Sequence, residues 1–320
     1  MYVTGTAKNA VELLKVIDTF LTTQLGDGNW KTMRREVLEY GGEIIPYECI
    51  WEGKGDGNDK IYLHMTLPFK FENDITSLLS IDKIMLDSLA GYDAELLYYE
   101  QAGSIQKTFN SIGQFNQPMP MFTCPSNEKF SYWLFGNSQR LIVVIKASTV
   151  YDSMYLGFIN PISSERQYPY PMYIGGNGTM SGNSWGSNKN GSFVFPSDGS
   201  GYLRRADGSW RKFDAYGDSS TVPNPFSVGT LFPYNTGNQK LVPNYYERSV
   251  GDLDNALMMP IILCTTQPYD VCGILDNVFF ISGTRDIASE QIMTFGSEQY
   301  IVFCVKFITS SNTYFAVKLA

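Results

Sequence analysis

Ser131 to Gly176 reads SYWLFGNSQRLIVVIKASTVYDSMYLGFINPISSERQYPYPMYIGG, and the reading of this stretch decides the fold class. Trp133 to Phe135 and Arg140 to Lys146 are rich in aromatic and β-branched residues. Only Gly136, Asn137, Ser138 and Gln139 separate them, which is the composition of a hairpin with a short Gly-Asn connection. The second arm contains Leu141 to Ile145, LIVVI, apolar at every position rather than at alternate ones. A strand without alternation is covered on both faces, so this one is expected at the centre of the core. Beyond it, Tyr151, Tyr155, Phe158, Tyr168, Tyr170 and Tyr173 stand near Pro161, Pro169 and Pro171, a stiff aromatic composition that suits a contact surface.

The rest of the chain agrees with a β-rich reading. Its 320 residues are 43% hydrophobic, enough to bury one large core or two intimate ones. Only 18% of residues are charged, 14% are aromatic, and 29 glycines and 15 prolines punctuate the sequence, as in a turn-rich β protein. The formal charge of -8 argues against nucleic acid, because the compact basic groups are limited to Lys31, Arg34 and Arg35, and to Arg204, Arg205, Arg211 and Lys212. Five scattered cysteines, Cys49, Cys124, Cys264, Cys272 and Cys304, fit reduced thiols of a cytosolically folded chain better than a disulfide framework. The start, MYVTGTAKNAVELLKV, lacks the pattern of a signal peptide, and no apolar run approaches the ~18 residues that span a bilayer. Neither secretion by signal peptide nor membrane insertion is expected.

Ala7 to Leu25 has apolar residues at Ala10, Leu13, Leu14, Ile17, Phe20 and Leu21, which predicts an amphipathic helix capped by Thr6 and followed by Gly26. Short strands are expected at Met33 to Tyr40, Ile44 to Trp51 and Lys60 to Leu67, with Gly41-Gly42 and EGKGDGND (Glu52 to Asp59) between them. Thr76 to Ser88 satisfies neither period and stays unassigned. Asn177 to Asn190, NGTMSGNSWGSNKN, reads as a surface loop. In Gly201 to Phe213, Asp207-Gly208 signals a hairpin through a type I′ turn, with Trp210 stacking on Arg205 or Arg211. Ser219 to Tyr246 carries Pro223, Pro225, Pro233 and Pro243 and reads as an ordered meandering loop or arm. Strands return at Met258 to Cys264, Val278 to Ser282, Gln299 to Phe307 and Tyr314 to Leu319, the last two forming a hairpin through Ser310, Ser311 and Asn312. The expected fold is therefore α+β, mainly β: antiparallel sheets, one N-terminal amphipathic helix and long ordered loops. A boundary near Pro161 divides it into a helix-plus-sheet region (1–160) and a loop-rich β region (161–320), which can also form one folding unit.

No catalytic set emerges. The single histidine, His64, lies in IYLHMTL with Tyr62 and Thr66 on its face, a phase that points it outward, and every Ser-His or Cys-His pair would depend on it. GKGDG (Gly53 to Gly57) and GGNG (Gly175 to Gly178) lack the strand-to-helix setting of a phosphate loop, and no GxxxxGK[ST] occurs. Asp56, Asn58 and Asp59 do not have the spacing of a calcium loop. Acid pairs such as Glu36 with Glu39, or Asp252 with Asp254, could serve a glycosidase but are equally solvated acids. No cofactor or metal is expected.

In addition, YWLFGNSQRLIVVIKASTVYDSMYLGFINPISSERQYPYPMYIGG resembles a group of poorly characterised virion proteins of tailed bacteriophages. The shared pattern is a Tyr-Trp strand, an Asn-containing turn, an Arg-led apolar strand, an S-T-x-Y run, a Tyr-x-G-Phe strand and a Tyr-Pro-Tyr-Pro segment. LAGYD at Leu89 to Asp93, QAG at Gln101 to Gly103, LRRADGSW at Leu203 to Trp210, YIVFCVKF and NTYFAVKL follow in the same order, so the likeness spans most of the chain. The loop Ser181 to Asn190 and the region Ser219 to Tyr246 depart from it. The resemblance implies a structural component of the particle, at the tail or its distal end, or alternatively at the neck or head surface, packed against other virion proteins and copies of itself. Tyr151, Tyr155, Tyr168, Tyr170, Tyr173, Trp185 and Trp210 are the candidate interface residues. A second reading makes Trp185, Trp210 and nearby tyrosines a platform for a host surface glycan.

Overall fold

The computed structural model describes residues 1–26, 28–40, 42–55, 60–68, 82–108, 119–126, 128–162, 171–179, 185, 192–196, 199–205, 207–213, 229–232, 258–266, 269–281, 287–305 and 314–319. The first elements are β1 (Tyr2–Ala7), helix α1 (Ala10–Thr19), which runs on as a π-helical turn (Phe20–Gln24), β2 (Trp30–Tyr40), β3 (Glu43–Gly53), β4 (Ile61–Thr66) and β5 (Lys83–Leu89). A 3-10 turn (Tyr98–Glu100) and a one-turn helix α2 (Ile105–Thr108) precede β6 (Pro120–Thr123). Then come β7 (Phe130–Gly136), β8 (Arg140–Ala147), β9 (Val150–Phe158), β10 (Asn160–Pro161), β11 (Met172–Gly175) and β12 (Gly178–Thr179). The chain continues through β13 (Gly201–Arg204), β14 (Trp210–Phe213), β15 (Gly229–Phe232), β16 (Met258–Thr266), β17 (Tyr269–Ile281), β18 (Ile292–Phe295), β19 (Glu298–Cys304) and β20 (Tyr314–Lys318).

These strands make two sheets. The larger runs β1-β7-β8-β9-β11-β13-β14-β15-β16-β17-β20-β19-β18, with β10 beside β17; the smaller runs β12-β6-β5-β4-β3-β2. Pairing is antiparallel except for a single parallel bridge, Phe213 opposite Gly229, between β14 and β15. The fold is mainly β, as the composition implies, with one N-terminal amphipathic helix, as the apolar spacing from Ala10 to Leu21 implies. The large sheet takes strands from both sides of residue 161, since β9 pairs with β11 from Phe158 opposite Met172 to Tyr155 opposite Gly175.

The LIVVI strand explains the layering. Leu141, Val143 and Ile145 belong to a core shared with Leu13, Leu14 and Ile17 of α1 and Leu63, Met65 and Leu86 of the small sheet. Ile142 and Val144 face the other way, into a core with Phe303, Phe315 and Val278 of the C-terminal strands. Trp133 of β7 meets Phe303 of β19 edge-on at 5.3 Å, so the large sheet curls back over itself. Three layers result, and the unbroken apolar run is the middle one.

Several local expectations change in detail. The helix begins at Ala10 because Asn9, not Thr6, is the cap: its Oδ1 accepts from the Glu12 N–H at 2.9 Å, while Glu12 reaches back to the Lys8 N–H at 2.8 Å. Residues 2–7 are instead drawn out as β1 along β7. The unassigned stretch contributes β5, and β15 lies inside the segment read as a meandering loop. Five residues, not two, join β13 to β14. Gly208 takes φ +80, and its N–H donates to Arg205 O at 2.9 Å. The Ser310 to Asn312 connection and most of Ser219 to Tyr246 lie outside the described residues.

Candidate functional site

The aromatic residues singled out from sequence divide sharply by position. Tyr155 and Tyr173 are wholly buried in the core between the layers, where their hydroxyls donate to Phe158 O and, at 2.7 Å, to Phe193 O. Each ring packs on others at 5.8–5.9 Å, and burial pushes both hydroxyls far above the ordinary tyrosine range. Both lie on strands covered on two sides, and they present no face to a partner in this fold. Tyr151 is half-buried beside Trp133 and Phe303, with its hydroxyl on Glu290 and Lys146 5.1 Å over its ring. Trp185 is half-buried and leans on the core of the small sheet. Tyr168 and Tyr170 lie outside the described residues.

Trp210 is also a core residue, and its cationic partner is Arg204, not Arg205 or Arg211. The guanidinium lies 4.4 Å over the indole. Arg204 sits on β13 but reaches through to the small sheet, donating to Ser88 O at 2.6 Å and to Gly103 O; the Trp210 Nε1–H donates to the same Gly103 O at 2.9 Å. The LRRADGSW hairpin thus supplies a buried strut between layers, which leaves the proposed glycan platform without one of its two tryptophans.

His64 corrects the sequence reading. Its phase on β4 is as expected, with Tyr62 and Thr66 on its face, but that face is roofed rather than outward. The segment 91–107 folds across it, and His64 is completely buried with its ring stacked on Tyr98 at 4.5 Å. Register places His64 opposite Ile50 on β3 and opposite Asp87 on β5. On the same face Glu48 pairs with Arg34 at 3.6 Å, and Arg34 also donates to Ala94 O and Leu96 O in the roof. Asp87, fully buried, accepts from Ser104 Oγ at 2.7 Å and from the N–H groups of Ser88 and Ile105. The only sequence signals for this cluster were the charged Asp87 within the apolar strand KIMLDSL and the phase of His64.

Burial sets the protonation of all three groups. It raises Glu48 to about 7 against the opposing pull of Arg34, and Asp87 to about 6 against its hydrogen bonds. Burial, aided by Arg34, lowers His64 to about 3, and neither of its ring nitrogens has a hydrogen-bond partner among the described residues. Perturbed groups of this kind are the usual mark of a site. Here, however, His64 and Asp87 have no exposed surface on which to receive a substrate, so the arrangement acts as a sealed polar seam under the roof. No group of three or more His, Cys, Asp or Glu among the described residues is placed to hold a metal ion.

The seam has a testable sign. Between pH 6.5 and about 3 the unfolded chain protonates His64 while the folded chain does not, so the histidine's contribution is intact above 6.5 and is lost as pH falls. Glu48 and Asp87, raised in the folded state, act oppositely in the windows 4.5 to about 7 and 3.8 to about 6. His64→Phe keeps the stack on Tyr98 and removes only the histidine's effect. Relative to the native chain it should gain ~2 kcal/mol more at about pH 5 than at about pH 8 in urea unfolding. Equal gaps at the two pH values would contradict the buried, neutral imidazole.

Exposed apolar surface lies elsewhere. The β2-β3 hairpin extends past the last β4 partner through Val37 opposite Pro46, Leu38 opposite Ile45 and Glu39 opposite Ile44. On its outer side Val37 is 42% and Ile44 64% exposed, flanked by the exposed acids Glu36, Glu39 and Glu43. Ile44 is the most exposed large apolar side chain among the described residues. No helix of the described residues is long and apolar enough to cross a membrane. The chain matches no protein-family model, and no curated protein is similar enough to match it.

Proposed function

We propose that the chain is a non-enzymatic building block of a tailed-bacteriophage virion, set at the tail or its distal end and held there by contacts with other virion proteins and with copies of itself. The observation that carries this reading is apolar surface at projecting and terminal strands, foremost Val37 and Ile44 on the β2-β3 arm, together with a titratable cluster closed to substrates. Single exposed apolar residues are ordinary, but paired ones on a two-stranded extension gain most when another surface covers them. The sequence resemblance along most of the chain supports the same assignment. Gold-labelled antibody against this chain, applied to purified particles of a phage that encodes it, should decorate the tail. Particles that carry no label and contain none of the chain would overturn the proposal.

The contribution of the arm is separable. Ile44→Glu places a carboxylate among three others where apolar surface is to be covered, yet touches no core contact of an exposed side chain. The purified variant is expected to melt within a few degrees of the native chain while its incorporation into particles falls at least tenfold. Unchanged incorporation would remove the arm from the interface.

A further inference from the structure

We infer that the two ends of the large sheet, β1 and β18, are mutual docking edges, and that β18 of one copy adds to β1 of the next. This deepens the assembly reading and rests on it, by naming a second copy of the chain as the partner. Among the described residues no strand lies beyond either end, so each presents unpaired backbone groups along one side. Val302 N–H donates to Gln291 O, and the antiparallel ladder alternates from there, turning the N–H and C=O of Ile292 and Thr294 away from β19. Likewise Gly136 N–H donates to Met1 O, which turns the backbone of Tyr2, Thr4 and Thr6 away from β7.

Edges of this kind are normally guarded by charge, proline or bulges. The small sheet follows that rule: its edge strand β2 carries Lys31, Arg34, Arg35, Glu36 and Glu39 and is broken by two register shifts. β1, YVTGTA, and β18, IMTF, have no charge and no proline, and the register of each with its neighbour runs without a shift. Exposed apolar side chains sit on both, Tyr2 at 37% and Ile292 at 52%. Within this chain the charged β2 edge is a poor match for β18, whereas β1 offers an uncharged strand of sufficient length. Because the two edges differ, the contact is heterologous and propagates from copy to copy.

Sedimentation velocity of the full chain over a concentration series tests this. The native chain should form dimers, trimers and larger species with rising concentration. Thr294→Pro removes one outward N–H of β18 and Thr4→Pro one of β1; each variant alone should associate at least tenfold more weakly. An equimolar mixture of the two, which retains one good edge of each kind, should form a one-to-one dimer and stop there. Ile292→Lys and Tyr2→Lys repeat the experiment through charge should a proline variant fail to fold by circular dichroism. A native chain that stays monomeric, variants that associate like it, or a mixture that does not pair would each overturn the inference. A monomeric chain still found in purified particles leaves the virion assignment standing; one that propagates in solution but is missing from particles leaves only the edge pairing.

Discussion

Arg204→Ala is expected to lower the stability of the chain by about 3–5 kcal/mol, among the largest losses any single side-chain truncation here should cause. Three consequences combine. The carbonyls of Ser88 and Gly103 lose their charged donor inside the protein, Trp210 loses the cation stacked 4.4 Å above it, and a large side chain with no exposed surface leaves a void between the layers. The Gly103 turn is shaped for this contact. It has φ +78, and a Cβ there would lie 2.6 Å from the Arg204 guanidinium, so the roof over the seam and the strut between sheets are one construction. Arg204→Lys should recover only part of the loss: both carbonyls accept from the one Nη2 nitrogen, which an ammonium can imitate, but an ammonium cannot lie flat on the indole and fills less of the space. Urea unfolding checks both variants; a cost below about 1 kcal/mol for the alanine would contradict the strut.

Gly176→Ala should cost about 3 kcal/mol or more, for a reason that concerns backbone alone. Residues 175–178 carry the chain from the large sheet to the small one, with the Gly176 N–H donating to Ser200 O at 2.7 Å and the Asn177 N–H to Met121 O at 3.0 Å. The Asn177 side chain, fully buried, closes the crossing by accepting from Thr123 N–H at 2.7 Å and donating to Thr123 O at 3.2 Å. A Cβ at position 176 would stand 2.1 Å from Met121 O, and β6 cannot retreat without breaking its ladder to β5. Gly91→Ala, which meets nothing within 4 Å, is the control and should cost under about 1 kcal/mol. Thermal melts that place the two variants side by side would show the crossing is not tight.

How far the sequence alone carries can be judged residue by residue. Leu141 to Ile145 announced a strand covered on both faces because strand geometry sends neighbours to opposite sides, and a run with no polar member leaves no side for water. The α1 stripe and the β7-β8 hairpin were legible for the same reason: local periodicity encodes them. What local pattern cannot encode is which layer covers which face. Tyr155 and Tyr173 resemble contact residues because interfaces and cores draw on the same aromatic types, and what makes them interior is distant in sequence: Phe193, Phe213 and the C-terminal strands that complete the same core. His64 had the correct phase and the wrong environment, since the roof comes from residues 91–107, far along the chain. In sequence Arg204 is one member of a compact basic group with Arg205, Arg211 and Lys212; its burial depends on Ser88 and Gly103, more than a hundred positions away. β1 escaped notice although Tyr2, Val3, Thr4 and Thr6 favour strands, because the run is short, carries Gly5, precedes a strong helix, and finds its partner β7 more than a hundred positions along the chain.

The open strand ends and the β2-β3 arm share one physical implication: unpaired backbone and apolar side chains that are exposed in an isolated chain gain free energy when copies cover them. The most direct test of the building-block assignment is therefore the number of copies of this chain in purified phage particles, measured by quantitative mass spectrometry against a labelled internal standard. Several copies per particle, in fixed ratio to the other virion proteins, is the predicted result. Particles that contain none of it, from a host in which the chain is abundant, would contradict the account.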